Sequence, residues 1–194
     1  MKTAERHPLE PFLPVHARLL MLGSFPPQRK RWSMEFFYPN LQNDMWRIFG
    51  LLFFEDRDHF LTGDRKAFDR ERIESFCRGR GIAIYDTAEE VIRLKDNASD
   101  QFLQVVREVD LKALLRRIPQ CRNVVATGGK AAETAARLLE CEVPAVGDFS
   151  TFMLDGRMMR FWRMPSSSRA YPIPLERKAA VYRTMAEACE LTAE

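Results

Sequence analysis

The stretch ARLLMLGSFPPQRKRWSMEFFYPNLQNDMW, Ala17 to Trp46, starts as an apolar run and changes character at Gly23. Ala17–Gly23 reads as a buried strand, since it is short, apolar and ended by glycine. Gly23-Ser24 with Pro26-Pro27 reads as a rigid turn, because glycine lets backbone approach closely and proline fixes φ. A basic patch, Gln28–Arg31, and the aromatic set Trp32, Phe36, Phe37 and Tyr38 then crowd into a loop-like stretch. From Asn43 onward, Trp46, Phe49, Leu52 and Phe53 keep helical spacing, so a helix starts near Asn43 and Asp44. Strand, aromatic loop and helix together make the first unit of an α/β chain.

The alternation recurs. Asp64–Gly81 is an amphipathic helix with a glycine stop, and Ile82–Asp86 is a short apolar strand. Gln101–Pro119 offers helical periodicity, Asn123–Gly129 is a strand entering a turn, and Lys130–Glu140 is an alanine-rich helix. Ser150–Met164 reads as a hairpin with Asp155-Gly156 as its turn. Leu175–Leu191 again shows helical spacing, while residues 1–16, with three prolines, read as an extended N-terminal arm. Strands alternating with helices predict an α/β layer architecture with a mainly parallel sheet. Gly23-Ser24, Asp86-Thr87, Thr127-Gly128 and Pro165-Ser166 each follow a predicted strand. In open α/β sheets ligands bind beyond the strands' carboxyl ends, so these four segments are expected to line one crevice.

Length and composition narrow the class. A chain of 194 residues with 46% apolar and 29% charged residues is expected to form one globular domain over 1–194. A net charge of +3 excludes a bulk polycation but leaves room for a local basic face. No apolar run approaches a membrane-spanning length, and MKTAERHPLEPF lacks a signal-peptide core. Cys77, Cys121, Cys141 and Cys189 are widely spaced, and His7, His16 and His59 are not grouped with them. Reduced cysteines in the cytoplasm and no zinc or iron–sulfur site are the expectation. GSFPPQRK and TGGKAAE match neither glycine-rich nucleotide loop, which disfavours a nucleotide-processing enzyme.

Each candidate feature has a plain and a functional reading. Asn43 either caps the helix carrying Trp46 or holds a water through its amide. The loop aromatics either tuck under the domain or offer flat faces on which an unpaired base stacks. Arg163–Pro174, with Ser166, Ser167 and Ser168, is either a proline-rich connection or a phosphate-holding loop.

Taken together, GSFPP…FFYPNLQNDMW, GIAIYDTAEEVIRLKDNASDQ, VVATGGKAA and MPSSSRA, in that order over residues 17 to 185, resemble the uracil-DNA glycosylase superfamily. The nearest branches are the hypoxanthine-type and mismatch-specific ones. The resemblance implies a three-layer α/β/α domain with a central four-stranded, mainly parallel sheet. It also implies a monomeric, cofactor-free enzyme that flips a deaminated base, uracil or hypoxanthine, out of damaged or mismatched DNA and cuts its N-glycosidic bond. The alternative it leaves is a DNA-binding member without activity.

Gly23, Ser24 and Pro26 fall on the first family motif, at the mouth of the base pocket, where Phe25 or Pro27 stands in place of the water-activating Asp or Asn of several branches. Tyr38, Asn43 and Trp46 match the hypoxanthine-type pattern, which makes Asn43 the catalytic residue. The resemblance puts Phe37 or Tyr38 against the flipped base and Asp86 in its pocket, with Asn97 and Ser99 on further polar positions. Pro165, Ser166, Ser167 and Ser168 match the loop that pinches the DNA backbone, with Arg169 near its wedge. Met164 replaces the histidine that opens this motif in the classical uracil enzymes. Arg31 and Lys130 complete the expected DNA contacts.

Overall fold

The computed structural model describes residues 3–95 and 102–192. Asn97 and Ser99 lie outside the described residues. Two sheets organise the chain. The larger has the order β3-β2-β6-β8-β7, built from β2 (Leu19–Gly23), β3 (Ile82–Asp86), β6 (Asn123–Thr127), β7 (Phe149–Leu154) and β8 (Arg157–Met164). β3, β2, β6 and β8 run parallel, and every residue of β2, β3 and β6 is buried. That explains why their sequences are unbroken apolar runs rather than alternating ones. The expected four-stranded sheet therefore gains a fifth strand, β7, paired antiparallel to β8 at the edge. Asp155 (φ 49°) and Gly156 (φ 78°) supply the hairpin turn, both in the left-handed region that a tight two-residue loop needs.

The smaller sheet was not foreseen. β4 (Ala88–Arg93) pairs antiparallel with β1 (Glu5–Arg6) on one side and with β5 (Leu103–Glu108) on the other. The helix expected over 101–119 is thus divided, since Leu103–Glu108 pairs with β4 as a strand and only α3 (Leu111–Arg116) is helical. Asp110 starts α3 by accepting a hydrogen bond from the Ala113 amide. The pairing explains the division, because Val105 and Val106 satisfy strand geometry once a partner edge is present.

α1 (Met45–Phe54) packs against α5 (Leu175–Ala188), with the Phe49 and Tyr182 rings 6.3 Å apart. α4 (Gly129–Leu139) packs on β6 and α3, and α2 (Arg70–Arg80) on β3. The helix expected from Asp64 begins only at Arg70, where the Asp69 carboxylate caps it by accepting from the Arg72 amide. It stops as anticipated at Gly81 (φ 68°). No helix among the described residues is long and apolar enough to cross a membrane.

Candidate functional site

The strand order decides where the crevice lies. From β2 the chain goes to β3 on one side and later to β6 on the other, so the connections diverge at the carboxyl ends of β2 and β6. Gly23 ends β2, Asp86 ends β3 and Thr127 ends β6. Tyr38 closes over them, its hydroxyl sharing a 2.8 Å hydrogen bond with Thr127 Oγ1. Tyr38 sits at φ 51°, a conformation uncommon for a bulky residue and a mark of a constrained loop. Gly23 is required here by space. A Cβ on it would stand 2.5 Å from Asp86 Oδ1 and 3.6 Å from the Tyr38 hydroxyl.

The aromatic loop divides into two sets. Phe36, Phe37 and Trp46 belong to the core, Phe37 lying against Phe36 and Tyr85. The Trp46 indole donates to the Phe37 carbonyl at 3.0 Å, tying the loop down onto α1. Tyr38 is partly buried, and its bond to Thr127 at the end of β6 places it at the crevice. Phe25 is buried in a separate cluster with Ala88, Val91 and Leu103, and the Pro26 carbonyl accepts from Arg93 Nη2 at 2.6 Å. The Ser24 hydroxyl is buried without a hydrogen-bond partner among the described residues.

Two stretches far apart in sequence meet beside this cluster. Asn43 and Ser168 form an antiparallel bridge, in which the Asp44 amide donates to the Ser167 carbonyl (2.8 Å) and the Arg169 amide to the Gln42 carbonyl (3.2 Å). The serine loop also touches the end of β6, since a Cβ on Gly128 would lie 3.9 Å from the Ser166 Cβ. Within the loop, Ser166 Oγ accepts from the Ser168 amide, and Ser168 Oγ from the Ala170 amide. Such local bonds set a tight turn without any regular ladder.

Of the two roles expected for Asn43, the helix cap is the one seen in the structure. Its Oδ1 accepts from the Met45 amide at 2.9 Å, so it does help cap α1, although Asp44 occupies the formal cap position. A carbonyl oxygen has two lone pairs. One serves the helix, and the second is not engaged by it.

Beneath the bridge lies a group of buried charges that sequence reading did not single out. Asp44 is 7% exposed, and its carboxylate faces Arg169 Nε (3.0 Å), Lys178 Nζ (3.7 Å) and Arg47 Nη1 (3.8 Å). Lys178, 1% exposed, donates to the Ser168 carbonyl at 2.7 Å. One turn further along α5, the buried Tyr182 hydroxyl donates to the Pro165 carbonyl at 2.9 Å. Lys178 and Tyr182 thus carry the serine loop from one helix face. Burial pushes the Lys178 ammonium below its ordinary value while Asp44 pulls it back up. Arg47 is lowered by burial and then by Arg169. The legible signal was Lys178 itself, a lysine within the apolar stripe Leu175, Ala179, Tyr182, Met185 and Ala186.

His7 is the other residue missed, hidden in an arm taken for a simple extension. Its ring is buried and its Nε2 lies 2.8 Å from Asp86 Oδ2. Of the expected DNA contacts, Arg169 joins the cluster through Asp44 and Gln42. Arg31 is exposed at the end of the 3-10 turn Arg29–Arg31, and Lys130 Nζ donates to the Leu103 carbonyl at 2.5 Å. Among the described residues no three His, Cys, Asp or Glu side chains converge as a metal site requires.

No family model and no curated protein sequence matches this chain. Its fold resembles a solution NMR structure of a proposed uracil DNA glycosylase from Methanosarcina acetivorans. The two share a TM-score of 0.57 and 19% sequence identity over 93% of this chain and 98% of that one. At that identity the likeness is one of fold.

Proposed function

We propose that the protein is a monofunctional DNA glycosylase of the uracil-DNA glycosylase superfamily, in its hypoxanthine-type branch, excising a deaminated base from DNA. The whole chain acts as one domain, with α1–α5 and α3–α4 as outer layers around the parallel sheet. The observation that carries this reading is the bridge between Asn43 and Ser168. It holds the candidate water-positioning amide against the candidate phosphate-holding loop at the divergence point of a parallel sheet.

The chemistry follows from those groups. Water adds to the anomeric carbon, the carbon–nitrogen bond breaks, and the base leaves with the bonding electrons and then takes up a proton. An oxocarbenium-like sugar needs no strong nucleophile, so orientation by Asn43 Oδ1 and a preorganised surround are sufficient. The target nucleotide leaves the stack at a cost of about a few kcal/mol, least for a mismatched or damaged base. Tyr38 is the aromatic placed to stack on it, and the serines with Arg169 hold the adjoining phosphates.

The test is a metal-free panel of duplexes carrying uracil, hypoxanthine, xanthine or a mismatched thymine, scored for free base and abasic product. Base release from any of them supports the reading. Shifted bands without abasic product would instead identify an inactive DNA-binding relative, a reading that the Asn43 bond to the Met45 amide favours.

A further inference from the structure

The N-terminal arm is stitched down on both sides of His7. Before it, Glu5 and Arg6 pair with β4 and the His7 amide donates to the Glu89 carbonyl at 2.8 Å. After it, Phe12 and Ile84 exchange backbone bonds of 3.0 and 2.9 Å. The ring between them meets Phe25 edge-on with centroids 5.2 Å apart and lies 4.7 Å from Tyr85. The His7 side chain is 3% exposed and that of Asp86 9%.

Hydrogen bonding explains why a histidine is buried there. A carboxylate only accepts, so Nε2–H donates to Asp86 Oδ2 at 2.8 Å. The Leu9 backbone offers Nδ1 both a carbonyl at 2.8 Å and an amide donor at 3.1 Å. With Oδ2 engaged by the arm, Oδ1 is the oxygen turned toward Gly23, at the carboxyl end of β2. The carboxylate is therefore oriented from outside the crevice, by a segment that contributes no strand to the parallel sheet.

We infer that His7 is a positioning residue of the base pocket, holding Asp86 so that Oδ1 accepts a hydrogen bond from a ring N–H of the flipped base. The inference rests on the glycosylase reading and assigns the residues that select its deaminated base. Uracil carries a hydrogen on N3 and hypoxanthine on N1, whereas cytosine and adenine present bare acceptor nitrogens at those positions. A fixed carboxylate oxygen accepts from the deaminated bases and repels the parent ones, leaving a wrongly bound base with two facing acceptors.

The test uses two polar substitutions in the full chain. The amide nitrogen of glutamine reaches about where Nε2 stands, and that of asparagine about where Nδ1 stands. His7→Gln therefore keeps the donor to Asp86, and His7→Asn loses it. Single-turnover base release from uracil and hypoxanthine duplexes is compared with binding to undamaged duplex, and thermal unfolding verifies that each variant folds. His7→Asn is expected to release base about tenfold to hundredfold more slowly, the range for losing a hydrogen bond to a charged group. Its duplex binding stays within about twofold, and His7→Gln recovers most of the rate. Equal rates for wild type and His7→Asn, or equal losses in both variants, overturn the positioning role and leave the glycosylase reading standing. A slowly exchanging His7 Nε2 proton in the NMR spectrum, lost in Asp86→Ala, reports the pair without reference to activity. If that proton is present and wild-type protein releases no base from any duplex, the glycosylase reading fails and the substrate inference falls with it.

Discussion

The two ends of the parallel sheet treat charge in opposite ways. At the carboxyl ends, Asp44, Lys178, Arg47, His7 and Asp86 are buried and bonded to one another or to loop carbonyls. At the amino ends, a groove lined by Arg18, Arg122, Arg160, Phe149 and Met158 is open, and Arg122 and Arg160 donate to the Cys121 and Ala188 carbonyls. Burying an ion costs several kcal/mol even after relaxation, so a buried cluster persists only where each member has a partner. Exposed arginines carry no such penalty. The carboxyl end is therefore built for fixed geometry, and the amino end is solvated surface.

The largest expected effect attacks the buried end. Asp44→Ala leaves Lys178, Arg47 and Arg169 without their shared counter-ion and should cost about 3–5 kcal/mol in urea unfolding. An unchanged unfolding midpoint would erase the contrast between the two ends. Next, Asn43→Ala should slow base release roughly a hundredfold, by analogy with removing one preorganised polar group. Its cost in stability should stay near the 1 kcal/mol or so of a lost helix cap. A loss of stability with no loss of turnover would reduce Asn43 to a cap.

Smaller effects sharpen the boundary. Tyr38→Phe removes the bond to Thr127 and should cost about 1 kcal/mol in thermal or urea unfolding. Arg160→Ala, at the open end, should change stability by no more than about 0.5 kcal/mol and leave base release alone. The smallest expected effect is none. Cys189 lines the open groove, yet burial pushes its thiol up to about 12, and Cys121 is likewise raised to about 11. Neither should react with a disulfide reagent at pH 8 in the native protein, because the thiolate is the nucleophile.

Much of the larger sheet could be read directly. Leu19–Gly23, Ile82–Asp86 and Asn123–Thr127 are apolar on both faces, and only a doubly covered strand permits that. The hairpin at Asp155-Gly156 was equally plain, since its turn chemistry is local. β4 and β5 were not legible. AEEVIR and LQVVRE carry charges and weak alternation, and they become strands only by pairing with each other and, for β4, with the arm. The site divides in the same way. Asp86 and the serines stood out because they follow strands, and Tyr38 and Asn43 through the aromatic loop and the family resemblance, whereas His7 looked incidental among prolines. Phe37 shows the opposite case, a loop aromatic singled out for stacking whose ring lies in the core.

Hydrophobic periodicity and turn chemistry act over a few residues, and so they mark which segments are buried strands, where those end and which polar residues follow. That 42–44 pairs with 167–169, that Lys178 lies under that bridge, and that His7 meets Asp86 across 79 positions are visible in the folded chain alone. Those contacts depend on strand order and on the partner each buried charge finds, and neither quantity is local to any stretch of the chain.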